Sequence, residues 1–230
     1  TLIGILIFNF SLGSSIAILF GIIGALLATL LTYQIGKFGK NGLAFIVMGI
    51  AVSASLTSLV GITAAMINKP EARGISFWSL GTLSMTVKSQ LFLIAPILIL
   101  AWLASAILAP QLDFLALGDL RARHLGKNVN QIRFLVFLVI AIAIGAVTSI
   151  FGQIAFLALA IPHITRAIFG AKHRALVVNS GILGATLLLI ADLLARTLAM
   201  PNELPLGLMT ALIGAPILIF ATRKWLRDHA

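Results

Sequence analysis

Long apolar runs separated by short polar intervals dominate this chain, and the lengths of the runs set the first expectation. Crossing the roughly 30 Å hydrocarbon core of a bilayer takes about 20 helical residues. Runs at residues 14–35, 43–67, 91–108, 134–151, 176–198 and 206–221 approach or exceed that length. A shorter run at 154–168 follows a turn at Gly152 and Gln153 and reads as one more crossing. Residues 1–10 are too short to cross and read as the tail of a further span, so the expectation is a fragment or processed chain that starts at Thr1 inside an apolar segment. The pattern therefore predicts an all-α, polytopic transmembrane helical bundle with about seven to eight spans.

The polar intervals carry the remaining information. Residues 68–74 form a polar turn, and Phe77 with Trp78 make an aromatic pair suited to the membrane–water boundary. The longest interval is LALGDLRARHLGK at 115–127, which reads as a short helix between two spans. Gly118 and Asp119 give its start signal, with the Asp119 carboxylate placed to cap free N–H groups, and Gly126 gives its stop. Asp119 and Arg123 fall four apart on one face; Arg121, His124 and Lys127 are left for solvent, lipid headgroups or a partner.

Composition agrees with the pattern: 60% of the 230 residues are hydrophobic and 10% are charged, against about a quarter charged in soluble domains. This is an integral membrane protein. The net charge of +10 comes from short clusters between apolar runs, not from one basic stripe, which argues against nucleic acid as a partner. The absence of cysteine excludes disulfides, thiolate metal sites and cysteine nucleophiles.

Cytoplasmic loops retain Lys and Arg, and alternating loops split the 16 basic residues unevenly. Lys37, Lys40, Arg121, Arg123, Lys127, Arg133, Arg166, Lys172, Arg174, Arg223, Lys224 and Arg227 share one side; Lys69, Arg73, Lys88 and Arg196 share the other. This bias places the 115–127 helix and the C-terminus in the cytoplasm. The assignment depends on 154–168 being a crossing, because otherwise everything after it inverts.

Ionisable groups within the spans are scarce. Asp192 and Arg196 lie four apart near the non-cytoplasmic end of their span, which fits a structural ion pair or, for Arg196, a role at the surface. Glu203 sits in the proline-flanked turn 201–205, and His163 lacks a partner at metal-ligand spacing, as a helix-end or interface residue would. Small residues such as Gly21, Gly24, Ala25, Ala28, Gly181, Gly184 and Ala185 serve close helix packing. Neither a P-loop nor a hydrolase motif is present. A transport pore driven by a separate motor fits these features; an ion-coupled secondary transporter and a non-transporting scaffold are the alternatives.

Four strings occur in order: LALGDLRARHLG at 115–126, GQIAFLALAIPH at 152–163, ADLLAR at 191–196 and ELPLGLMTALIGAP at 203–216. Together they resemble the permease subunit of the ABC importers for iron–siderophore complexes, haem and cobalamin, the FecCD-type family with a BtuC-like fold. The resemblance implies a ten-span permease in which residues 1–230 represent the C-terminal two-thirds of one transmembrane domain, with a cytoplasmic coupling loop at 110–130. It implies a second permease subunit in a homodimer or heterodimer, cytoplasmic ABC ATPase subunits, an extracytoplasmic substrate-binding protein and a metal-chelate cargo, with ferric siderophore the commonest. No cofactor is expected on this chain and no enzymatic step; ATP and Mg belong to the partner ATPase. The location implied is the bacterial cytoplasmic membrane.

By resemblance, Gly118, Asp119, Arg121, Arg123, His124 and Gly126 contact the ATPase, and Arg196 docks the binding protein. Gly36, Lys37, Gly39, Lys40 and Asn41 occupy the place of a cytoplasmic gate, and residues 77–81 lie beside the translocation path.

Overall fold

The computed structural model describes residues 14–36, 42–66, 78–84, 86–154, 156–200 and 202–229. They form helices α1 (Ser15–Gly36), α2 (Gly42–Met66), α3 (Lys88–Ala116), α4 (Asp119–His124), α5 (Val129–Phe151), α6 (Leu157–Phe169), α7 (His173–Thr197) and α8 (Leu206–His229). Inside a bilayer no water meets backbone polar groups, so each segment must satisfy them itself, and helix is the local solution. Several hydroxyls follow the same rule. Those of Thr32, Ser55, Ser58, Thr186 and Thr197 donate to the carbonyl four residues earlier at 2.8–3.0 Å.

Helices α1, α3, α5 and α7 and the stretch Phe45–Thr63 of α2 are long and apolar enough to span a membrane; Leu157–Phe169 and Leu206–Ile219 are shorter apolar helices. Large apolar side chains point outward, with Phe92 81% and Ile107 76% exposed. In water that surface would be costly, whereas in lipid it is the expected one. The chain is an all-helical, multi-pass membrane protein.

Contacts gather into two compact units. The first comprises α1, α2, Trp78, Ser79, α3 up to Ala101, and α5 from Phe137 onward. Within it Tyr33, Phe45 and Phe137 form an aromatic cluster with ring centroids 5.7–6.1 Å apart. A Cβ on Gly145 would stand 2.7 Å from the Ile22 Cα, so glycine lets α5 approach the α1 backbone. Trp78 does not stand at the surface of its unit. It is buried, and its indole N–H donates to the Ile150 carbonyl (3.2 Å), one of the last carbonyls of α5 and therefore open to a side-chain donor. Phe77 lies outside the described residues.

The second unit contains residues 80–84, α3 from Trp102, α4, the first turns of α5, and α6 to α8. Ala191, Ala195, Leu206 and Met209 form its core, flanked by Leu83, Ile154 and Leu188. Gly181 admits the Trp102 indole and Gly184 faces Ile161, as the small-residue pattern predicts, whereas Gly24 in the first unit has nothing within 4 Å.

Two boundaries differ from the pattern. Helix α3 runs through Pro110 to Ala116, so the interhelical loop is shorter than residues 110–130. Proline removes one N–H but leaves no better alternative for the carbonyls around it in an apolar setting. Conversely, α6 begins only at Leu157, and its 13 residues reach about 20 Å, short of a full crossing.

Residues 152–154, the lead-in to α6, are not helical. Gln153 stands where the Leu206 and Gly207 N–H groups donate to the Gly81 and Leu80 carbonyls, both at 2.9 Å. A Cβ on Gly207 would collide with the Leu80 and Gln153 carbonyl oxygens, and one on Gly81 with the Gln153 oxygen. From that junction the chain reaches Phe156, at φ 64, packed where Gly214 of α8 leaves room. Helix α6 then runs antiparallel to α7, with Thr165 receiving the Ser180 hydroxyl (3.2 Å). Because α6 and α7 pack antiparallel, the α6–α7 turn within this unit lies at the end opposite Arg196.

Candidate coupling and docking sites

Helix α4 is one and a half turns long, and both of its ends are set by glycine. Gly118 takes φ 94 and ψ 152, a region closed to residues with a Cβ. Gly126, at φ 74, donates to the Arg123 carbonyl (2.9 Å), and Lys127 donates to the Ala122 carbonyl (3.0 Å). That bond pair is the Schellman stop that Gly126 predicts. The start differs from expectation, because Gly118 holds the cap position without a side-chain bond and Asp119 is the first helical residue. Its carboxylate is already engaged.

Asp119 pairs with Arg133 of α5, Oδ1 to Nη2 at 2.7 Å, and not with Arg123. Asp119 lies on the side of α4 that carries the fully buried Ala122, which turns its carboxylate toward α5. Nor is Lys127 left for solvent, since its ammonium sits 4.7 Å from the centre of the Phe114 ring. What faces outward is a mixed basic and apolar surface: Arg121, Arg123 and His124 are exposed, beside Leu117, Leu120 (75%) and Leu125. Cations in the last turn of α4 also complement its helix dipole.

A second contact borders this surface. Asp113, near the end of α3, accepts from the backbone N–H of His173 (3.1 Å) and meets its Nδ1 at 2.6 Å. His173 is the first residue of α7, so the carboxylate satisfies a helix-start donor that lacks an intrahelical partner. Sequence reading missed Asp113, His173 and the role of Arg133. The Asp119–Arg133 spacing across the Gly126 turn is a usable signal for antiparallel neighbours; the separation of 60 residues between Asp113 and His173 carries none.

At the other end of α7, Arg196 Nε donates to Asp192 Oδ2 at 2.9 Å, the i,i+4 pair that the spacing predicts. Arg196 remains 44% exposed while Asp192 is half as open, so the terminal guanidinium nitrogens still reach outward. Glu203, exposed in the following turn, adds a second negative charge that acts on Arg196. His163 lies in the middle of α6, exposed, instead of at a helix end. Of the residues at the gate position, Gly36 closes α1 and is buried; Lys37, Gly39, Lys40 and Asn41 lie outside the described residues, as do Lys69 and Arg73.

The described residues thus carry a basic, glycine-bounded helix between spans and, at the far end of α7, an ion-paired arginine, both exposed. Comparison with known proteins supplies the family: the model of the FecCD transport family matches residues 1–224, and the chain belongs to that family. It is 35% identical over 221 residues to the hemin transport system permease protein HmuU of Yersinia pestis, covering 94% of this chain and 66% of that protein. The Fe(3+) dicitrate transport system permease protein FecC of Escherichia coli is 36% identical over 179 residues, covering 78% of this chain and 54% of the relative. The iron(3+)-hydroxamate import system permease protein FhuB of Bacillus subtilis is 36% identical over 210 residues, covering 90% and 54%. The chain thus spans between about half and two thirds of the length of these relatives. Among solved structures, a metal-chelate type ABC transporter in an inward-facing conformation superposes with a TM-score of 0.81 at 29% identity, covering 94% of this chain and 69% of that one.

Proposed function

We propose that this chain is the permease subunit of an ABC importer that carries an iron chelate across the bacterial cytoplasmic membrane, driven by ATP hydrolysed on a separate subunit. The observation that carries this reading is α4, a rigidly terminated helix whose outward face joins Arg121, Arg123 and His124 to exposed leucines. A face of that composition suits a groove on a soluble partner. The chain has no P-loop, so the ATP and Mg belong to that partner, and α4 is the element it pushes. A second permease subunit, identical or homologous, completes the pathway. Arg196 at the opposite end meets an acidic residue of the extracytoplasmic binding protein, and residues 36–41 close the path on the cytoplasmic side. The C-terminus is cytoplasmic, as the charge bias requires.

Ferric siderophore is the cargo we retain. Among eight relatives, five are named for ferric citrate, hydroxamate or siderophore transport, and two for hemin or haem. The mechanism is alternating access: closure of the ATPase pair moves α4, and packed spans follow as rigid bodies. An ion-coupled carrier fits less well, because Asp192 is engaged by Arg196 and not available as a lone proton-binding carboxylate.

The full-length subunit, purified from membranes with its neighbours, is expected to retain ATPase subunits. Vesicles containing the assembly should take up ferric siderophore only with ATP inside the motor compartment. Arg123→Glu is expected to lower ATPase retention and uptake together by about tenfold or more, because a like-charge contact replaces an attractive one. Uptake that follows an ion gradient without ATP, or an Arg123→Glu subunit that holds its ATPase normally, would overturn the reading; haem uptake in place of siderophore would correct the cargo alone.

A further inference from the structure

Helix α4 has only six residues, between linkers at 117–118 and 125–128. Pushed from outside, so short a helix would bend its linkers before it moved a span. Two contacts remove that freedom, and a third ties the neighbouring helices together. Asp119 Oδ1 meets Arg133 Nη2 at 2.7 Å and fixes the start of α4 to α5. Lys127 over the Phe114 ring fixes the far linker to α3. Asp113 holds both the backbone N–H and Nδ1 of His173 and fixes the end of α3 to the start of α7.

We propose that Arg133 is a positioning residue that receives the displacement of α4 and passes it to α5. The inference rests on the ATPase-facing role given to α4 above. Asp119 prefers Arg133 although Arg123 lies four residues away on its own helix, so one acid divides the basic residues into an inward receiver and an outward contact face. The pair is half-exposed, with Arg133 at 27% and Asp119 at 42%, a setting in which ion pairs add little to overall stability. Their consequence is geometric. Arg133 sits in the second turn of α5, which continues unbroken to Phe151. A displacement received there therefore travels along the whole span.

The test uses the full-length subunit assembled with its ATPase and binding protein in proteoliposomes, and reads two quantities separately: ATPase subunits retained, and cargo moved per ATP hydrolysed. Arg133→Glu is expected to retain the ATPase, since the exposed face of α4 is untouched, while cargo per ATP falls about tenfold. Arg133→Lys should stay within about twofold of the parent, and the exchange Asp119→Arg with Arg133→Asp should recover much of the loss. If Arg133→Glu fails to assemble, Arg133→Gln must show the same loss of cargo per ATP with an unchanged melting midpoint. Parental cargo per ATP in the Glu or Gln variant, or an exchange no better than Arg133→Asp alone, would remove the receiver role. A parent subunit that retains no ATPase would instead overturn the reading of α4 itself, so the two failures are distinguishable.

Discussion

Asp192 and Arg196 show how one carboxylate can set the aim of a cation without neutralising it. The bond uses Nε and Oδ2, which leaves the two Nη groups for the forked contact that the proposed docking to an acid of the binding protein would need. Removing the hold in Asp192→Asn should leave the helix intact and weaken docking of the binding protein by about threefold, the range of a half-exposed charge-assisted bond; Arg196→Ala should cost more. Titrating the binding protein onto the subunit in nanodiscs checks both, and equal affinity for Asp192→Asn and parent would show that Arg196 needs no orientation. This pair was legible because its partners are four apart on one helix. Asp119 invites the same local rule and escapes it. Its side of α4 carries buried Ala122, and Arg133 comes from the next helix, which periodicity within α4 does not reveal.

Helix α6 marks the scale at which local pattern and tertiary packing part company. The run 154–168 is apolar throughout most of its length, yet only Leu157–Phe169 is helical, because the lead-in is held by a junction assembled from three distant segments. Gly207 is the tightest point of that junction, where an added Cβ would stand 2.8 Å from the Gln153 oxygen and closer still to that of Leu80. Gly207→Ala must push α8 away from both strands of backbone and is expected to destabilise the subunit by about 1–3 kcal/mol, the usual cost of overpacking. Thermal melting in detergent reads it, and an unchanged midpoint would mean that the junction yields. The overrun of α3 through Pro110 is the opposite error of pattern reading. Proline is a strong stop signal in water, where freed carbonyls find solvent, and a weak one where they do not.

For the molecule as a whole, the class followed from run length and charge scarcity alone, since these are the quantities that a bilayer selects; of the about seven to eight spans that the runs predict, five are helices long and apolar enough to cross among the described residues. Orientation depended on 154–168 making a crossing. The antiparallel course of α6 and α7 puts the 170–174 turn, which is next to Asp113, and the 202–205 turn at opposite ends of the second unit. Because the chain has no cysteine, single cysteines can report the sides directly. A thiol in place of exposed Lys172 should react with a membrane-impermeant maleimide only from the cytoplasmic face, and one in place of exposed Asn202 only from the outer face. Labelling of both from one side would refute the topology.

The glycine junction also imposes an order on biogenesis. Its members are residues 80–81, 153 and 206–207, so the first is synthesised more than a hundred residues before the last. Until α8 arrives, the Leu80 and Gly81 carbonyls lack the Gly207 and Leu206 amides that donate to them in the finished protein. This corner of the second unit therefore closes only when the last helix is in place, however early its first strand of backbone was made.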